Sequence, residues 1–255
     1  MSSPISWRCE KGLGVVVIDR PERKNSLTLQ HMHEVGAAFG ECVDDGARCI
    51  LIRGAGDMFC AGRDLLDMDA ATEDTEAVLR DRINPALAAV RGCGVPTIAS
   101  VKGPALGFGF GLALACDITV VADNALMGSP FRNIGCTLDS GGHYYMRERI
   151  GVHRAAELIF TGRLISGREA AAMGLVNRSM GALDLDGYVD ALARSIAQGP
   201  TAAFAATKRI LASQGGYDDM AELEAHYQAR LLRTSDGIEG LTAFKEKRKP
   251  RFSGS

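Results

Sequence analysis

Residues 105 to 117 read ALGFGFGLALACD, an apolar run headed by three glycines (Gly107, Gly109, Gly111) with no acid, base or nucleophile among them. A glycine costs roughly 1 kcal/mol wherever a helix must form. The run therefore admits two kinds of fold. Either the backbone is approached very closely here, or the backbone itself is the functional group. Coming after a strand and opening a helix, it leaves the N–H groups of Phe108 and Gly109 at the positive end of a helix dipole. The spacing is G-x-G-x-G, without an acidic residue about twenty positions on, which excludes a dinucleotide fingerprint.

The flanking sequence supplies the strand and the helix. Gly14 to Arg20 (GVVVIDR), Cys49 to Gly54 (CILIRG), Val95 to Gly103 (VPTIASVKG) and Asp117 to Asp123 (DITVVAD) are short branched apolar runs that read as buried strands. Thr28 to Val43 carries Leu29, Met32, Val35, Ala38, Phe39 and Cys42 at helical spacing, with Thr28 as N-cap. Strand and helix alternate to about residue 135, which predicts an α/β core. Beyond Gly151 the segments are helical, separated by Gly or Ser stops. The expectation is one α/β domain over 1–200 and a helical extension over 201–255, with Gly215–Gly216 as hinge. An apolar terminal extension is a natural subunit contact, so an oligomer is expected.

Composition narrows the function classes. The 255 residues are 46% hydrophobic and 24% charged with a net charge of −2, an ordinary globular balance without the basic excess of a nucleic-acid binder. The seven cysteines are scattered, and none is paired as C-x-x-C, which predicts neither a disulfide framework nor a zinc site. The N-terminal MSSPISWRCE lacks a basic stretch followed by an apolar one, and the apolar window from Pro104 to Cys116 is too short to span a bilayer. A cytoplasmic protein is expected.

Two further stretches carry chemistry. Met58 to Met68 (MFCAGRDLLDM) follows a strand, and its Ala-Gly leaves backbone N–H groups free for a ligand. The alternative is a tight strand-to-helix turn with Asp64 as cap. Asn133 to Gly151 holds Asp139 in D-S-G-G among Ile134, Cys136, Leu138, Tyr144 and Tyr145. An acid in such a loop is desolvated, which raises its pKa and suits it to proton transfer near neutrality. Its alternative role is a helix N-cap.

Five stretches in register resemble the crotonase, or enoyl-CoA hydratase/isomerase, superfamily. They are IDRPERKNSL (Ile18 to Leu27), FCAGRDL, VKGPALGFGFGLALACDI, DSGG and LTAFKEKRKPRF (Leu241 to Phe252), and together they span nearly the whole chain. The resemblance implies repeated ββα units forming a spiral core, and a C-terminal helical region that builds a trimer or a dimer of trimers. It implies an acyl-CoA substrate, with no metal or redox cofactor. The thioester enolate would sit in an oxyanion hole formed by the amides of Arg63 and Phe108, with Gly107 and Gly109 letting the thioester oxygen approach. Lys24, helped by Arg23, would lie near the nucleotide phosphates. Ala61, Arg63, Asp64 and Leu65 would line the adenine and pantetheine channel. Phe244 and Lys247 would reach the CoA, often that of a neighbouring subunit.

The chain departs from the hydratase pattern in one respect. The two glutamates that add water correspond here to Gly111 and Phe131, and neither residue can activate water. Asp139, eight residues beyond Phe131, stands where isomerases of the family carry an aspartate, and its D-S-G-G context is most similar to the phenylacetate-type isomerases. A dehalogenase of the family pairs its aspartate with a tryptophan at the Phe131 position, but the single tryptophan here is Trp7. His143, Tyr144 and Tyr145 are read as packing residues, and Phe108, Phe110 and Phe131 as the wall of an apolar acyl pocket. The expected activity is acyl-CoA isomerisation with Asp139 as proton shuttle. Its rivals are an atypical hydratase or hydrolase using Asp139 and water, and a family member that binds acyl-CoA without turnover.

Overall fold

LGVVVI at 13–18 and CILIRG at 49–54 are apolar on both faces of a strand, and such runs are stable only inside a sheet covered on both sides. A computed structural model describes residues 3–65, 68 and 71–255. Met1 and Ser2, and Leu66 and Asp67 of the Met58–Met68 stretch, lie outside the described residues. From the N-terminus the elements are β1 (Ile5–Glu10), β2 (Leu13–Ile18), α1 (Leu29–Asp44), β3 (Cys49–Gly54), α2 (Thr75–Val78), α3 (Asn84–Arg91), β4 (Thr97–Val101), β5 (Ala105–Leu106) and α4 (Phe108–Ala115). The chain continues through β6 (Ile118–Ala122), β7 (Leu126–Gly128), α5 (Gly142–Thr161), β8 (Ile165–Ser166), α6 (Gly167–Ala172) and β9 (Arg178–Met180). It closes with α7 (Ala182–Ala197), α8 (Thr201–Leu211), α9 (Tyr217–Leu231) and α10 (Ser235–Lys245).

The main sheet has the order β1-β2-β3-β4-β6-β9, and a smaller one joins β5, β7 and β8. Only the β1–β2 pair of the main sheet is antiparallel, so β2, β3, β4 and β6 all point their C-terminal ends the same way. Val16, Ile18, Ile50, Leu51, Ile52, Ile98 and Val101 have no exposed surface and form the centre of the core. Thr28 caps α1 as expected, accepting from His31 N at 3.3 Å while the His31 ring accepts from Thr28 N at 3.4 Å.

Strands β1, β7, β8 and β9 depart from the sequence reading, β7 and β8 as short members of the small sheet. β1 is an edge strand whose residues are mostly exposed, so it lacks the apolar run that marks its neighbours. β9 lies in a stretch read as helical, and its three residues are drawn into the sheet by pairing with Val120–Ala122. Tertiary pairing decides such short segments, not propensity. Gly215–Gly216 joins α8 to α9 as a capped helix start, in which Gly216 N donates to the Asp219 carboxylate at 2.9 Å. α5 is broken at Gly151, where φ is +78°. No helix among the described residues is long and apolar enough to cross a membrane.

Candidate active site

The segment after β3 runs beside the segment after β4, and their pairing places the candidate residues. Phe59 and Cys60 donate to the Pro104 carbonyl at 3.2 and 3.1 Å, and Leu106 N donates to the Cys60 carbonyl at 2.9 Å. This is a parallel bridge between Cys60 and Ala105. Beyond the bridge the two segments stay close: a β-carbon on Gly62 would lie 3.5 Å from Phe108 N, which makes Arg63 and Phe108 neighbours across the gap. Gly62 (φ +99°) and Gly107 (φ +53°) turn the two chains just before those residues, and a β-carbon on Gly62 would lie 2.8 Å from the Leu106 oxygen. Phe108 opens α4, whose first bond runs from Gly111 N to the Gly107 carbonyl at 3.0 Å. Among the described residues neither the Arg63 nor the Phe108 amide has a hydrogen-bond partner. Two unpartnered donors side by side, one at a helix's positive end, can hold an oxygen on which negative charge develops.

The other glycines of the run serve approach. A β-carbon on Gly109 would fall 2.7 Å from Cys60 Cβ, and one on Gly111 would fall 2.6 Å from Ser140 Cβ, each also colliding with that residue's carbonyl oxygen. The close-approach reading of the run holds at Gly109 and Gly111. Gly107 carries the turn before the donor, while Gly109 and Gly111 let α4 lie against two other backbones. Cys60, fully buried, has its thiol pushed up to about 12 by burial, so it is no nucleophile here.

The loop 21–27 borders this arrangement. Lys24, exposed and left-handed at φ 54°, offers its carbonyl to Ala61 N at 3.1 Å. Leu27 N donates to the Gly62 carbonyl, and Asp64 N to the Leu27 carbonyl, both at 2.9 Å. The Asp64 carboxylate takes Arg20 Nη1 at 2.7 Å, so Asp64 pins the Lys24 loop. Buried Asn25 fastens the same loop through Arg20 N (2.8 Å), Ala55 O (3.0 Å) and Met58 O (2.9 Å). Lys24, Ala61, Arg63, Asp64 and half-exposed Leu65 thus lie along one edge of the paired amides.

Asp139 arrives from the other side. The turn that carries it sits on Gly111, one helical turn along α4 from Phe108, a rise of about 4.5 Å. The N-cap of α5 is Gly141 and has no side-chain cap, which removes the capping role for Asp139. Its carboxylate instead accepts from Ser140 Oγ at 2.8 Å. Burial pushes the Asp139 pKa up, opposed by the Ser140 hydroxyl, the Arg63 guanidinium and His143. Phe131 lies with its ring 3.5 Å from where a Gly107 β-carbon would stand.

Several expected residues lie elsewhere. Phe108 and Phe110 point their rings into the core at 2% and 1% exposure, whereas Phe131 is partly exposed. Tyr144 and Tyr145 pack edge to face at 5.5 Å, each under an arginine (Arg91 and Arg149). They line a cleft of about 500 Å³ at the C-terminal end of α4, away from Phe108. Phe244 is 84% exposed, and Lys247 is exposed too. The tail beyond them meets Arg48, which donates to Phe252 O (3.1 Å) and, at the α7–α8 junction, to Gly199 O (2.6 Å) and Thr201 Oγ1 (2.9 Å). Arg48 precedes β3 and Arg63 follows it, so this anchor is at the opposite end of the sheet from the paired amides. Sequence reasoning missed Ser140, Asn25 as a loop fastener, and Glu73, which forms a two-armed ion pair with Arg63. Nothing in the spacing of Glu73 marks it. Among the described residues no cluster of His, Cys, Asp and Glu could hold a metal ion.

This architecture recurs in known proteins. Residues 8–255 match the family described as enoyl-CoA hydratase/isomerase. A Rhodobacter capsulatus protein named "Probable enoyl-CoA hydratase" is 37% identical over 254 residues, covering 98% of each chain. The human enoyl-CoA hydratase domain-containing protein 2, mitochondrial, is 34% identical over 253 residues, covering 96% of this chain and 87% of its own. The crystal structure of enoyl-CoA hydratase from Bacillus anthracis superposes with a TM-score of 0.92 at 30% identity, covering 99% of this chain and all of that one. The chain belongs to the enoyl-CoA hydratase/isomerase family and has the crotonase fold, whose members act on acyl-CoA substrates.

Proposed function

We propose that the protein is an acyl-CoA isomerase, similar in its D-S-G-G loop to the phenylacetate-type enoyl-CoA isomerases. The amides of Arg63 and Phe108 hold the thioester oxygen. Asp139 takes the proton from C2 of a 3-enoyl thioester, and the C–H electron pair moves into the enolate. The same carboxyl returns the proton to C4, leaving the double bond between C2 and C3. One carboxylate serves both steps because it is regenerated, and burial that raises its proton affinity brings it nearer to working pH. The observation that supports the reading is the seating of the Asp139–Ser140 turn on Gly111, three residues along α4 from Phe108, in a chain whose Gly111 and Phe131 cannot carry a proton. Neither a metal nor a redox cofactor enters this scheme.

Lys24 and Leu65 lie on the CoA side of this scheme, and Phe244 and Lys247 serve the CoA of a neighbouring subunit in a trimer or dimer of trimers. Five buried cysteines fit a reducing cytoplasmic setting. The names of the relatives favour a second reading, hydration with Asp139 activating water. Product analysis in deuterated water, with paired 3-enoyl-CoA and 2-enoyl-CoA substrates, separates the two. Deuterium entering without addition of water, and lost in Asp139→Asn, supports isomerisation. Addition of one water supports hydration. Tight CoA-ester binding without product from any acyl group would leave a binding protein.

A further inference from the structure

The direction in which the Arg63 amide points is set from behind, by the loop 21–27. Leu27 pairs with Arg63 as a parallel bridge. Its N–H donates to the Gly62 carbonyl and its carbonyl accepts from Asp64 N, both at 2.9 Å, so its two backbone groups bracket Arg63. In the trans peptide joining Gly62 to Arg63 the N–H points opposite to the carbonyl, and a residue bracketed in a parallel ladder turns its own N–H away from the bracketing strand. The segment 60–63 lies between that loop, which takes Ala61 N on the Lys24 carbonyl at 3.1 Å, and the chain 104–108, which takes Cys60. Held by Leu27 on one side, the Arg63 amide faces the side of Phe108, whose N lies 3.5 Å from where a Gly62 β-carbon would stand.

Where Leu27 stands depends in turn on Asn25. Lys24 and Asn25 are successive non-glycine residues in the left-handed region, at φ 54° and 53°. Such a pair persists only where its surroundings fix it. The Asn25 side chain, with no exposed surface, supplies the fixing: Oδ1 accepts from Arg20 N, and Nδ2 donates to Ala55 O and Met58 O. One bond holds the start of the loop, and two tie it to the segment that leads to Arg63. We propose that Asn25 is a positioning residue for the paired amides: by locking the loop onto the 55–58 segment it holds Leu27 in register and so aims the Arg63 N–H at the thioester oxygen. The inference rests on that amide being one of the two donors.

The test is isotope-edited infrared spectroscopy of butyryl-CoA labelled with carbon-13 at the thioester carbonyl, bound at saturating concentration. Donors that polarise the carbonyl lower its stretching frequency, and the wild type is expected to show that fall on binding. Asn25→Gly adopts the left-handed backbone without strain and removes only the side-chain bonds. It should lose about half of the fall, as one of two donors is turned away. If Asn25→Gly does not melt cooperatively, Asn25→Asp, which keeps the bond to Arg20 N and loses both donors, is read in its place. Val35→Ala, a cavity in the buried face of α1, should keep the whole fall despite its lower melting temperature. No fall in the wild type, or no binding of butyryl-CoA, overturns the paired-amide reading and the role of Asn25 with it. A wild-type fall that the Asn25 variant retains overturns the role of Asn25 alone, as does an equal loss in Val35→Ala.

Discussion

Gly111 shows how a missing side chain can be a working part. A hydratase of this family carries an acid at this position, so restoring it looks like a route to hydration. The packing argues otherwise, because a β-carbon there would meet both Cβ and the carbonyl oxygen of Ser140. Overpacking against backbone costs about 1–3 kcal/mol, and the part that must move is the turn that holds Asp139. Gly111→Glu is therefore expected to lower the melting temperature and to lose isomerase turnover without gaining water addition, read by calorimetry and product mass. Asp139 supports a second prediction. Its pKa is raised in the folded protein, chiefly by burial, so the folded state binds the proton more tightly than the unfolded chain. Stability is then present below the unfolded value and is lost as pH rises from there toward the folded value. Asp139→Asn lacks this loss. Its melting temperature should gain on wild type as pH rises above the unfolded aspartate value of about 4, while turnover falls about 100- to 10,000-fold. Parallel melting curves at all pH values would contradict the buried-acid account.

At the scale of elements, the paired amides depend on two strand exits that run in register, and Gly62 is the tightest point between them. With φ at +99° and the Leu106 oxygen 2.8 Å from a would-be β-carbon, Gly62→Ala must shift the chain that carries the Arg63 amide. The loss in kcat/KM should be about 100-fold, as for a donor removed from such a hole. Gly40→Ala, on an exposed part of α1 with nothing within 4 Å, should be neutral or stabilise by about 0.5–1 kcal/mol. Similar losses of activity at both glycines would mean that the register argument is wrong. The same contrast marks how far the sequence could be read. The buried strands and α1 were legible because apolar spacing and the Thr28 cap act locally. The roles proposed for Gly107, Phe108 and Arg63 were legible only through the family pattern, since free amides leave no trace in residue type. Whether Asp139 caps α5 was undecidable from D-S-G-G, and the bare Gly141 cap answers it: Asp139 does not. β1 and β9 were missed because a half-exposed edge and a three-residue strand take their form from their neighbours. Glu73 was invisible because an ion pair across ten residues of irregular chain has no periodicity.

On the scale of the whole molecule, the C-terminal helices fit poorly as part of a lone subunit. α9 buries none of its residues, and Tyr217, Ile238, Leu241 and Phe244 are 85%, 57%, 49% and 84% exposed. An apolar surface of this kind on a terminal extension is suited to a second copy of the chain. Arg48 anchors the tail at the end of the sheet away from Arg63 and Phe108. If Phe244 touches CoA, it then does so in a neighbour's site. Mixing of variants tests this directly. Asp139→Asn chains lack the proton carrier but keep Phe244, and Phe244→Ala chains have the reverse defect. When the two are co-expressed in equal amounts and assemble at random, a site is whole only if its own chain keeps Asp139 and its neighbour keeps Phe244. That is about one site in four by the symmetry of a closed ring, so activity at low CoA-ester concentration should return to about a quarter of wild type. Activity no higher than the mean of the separate variants would place Phe244 in the site of its own chain, or outside any site.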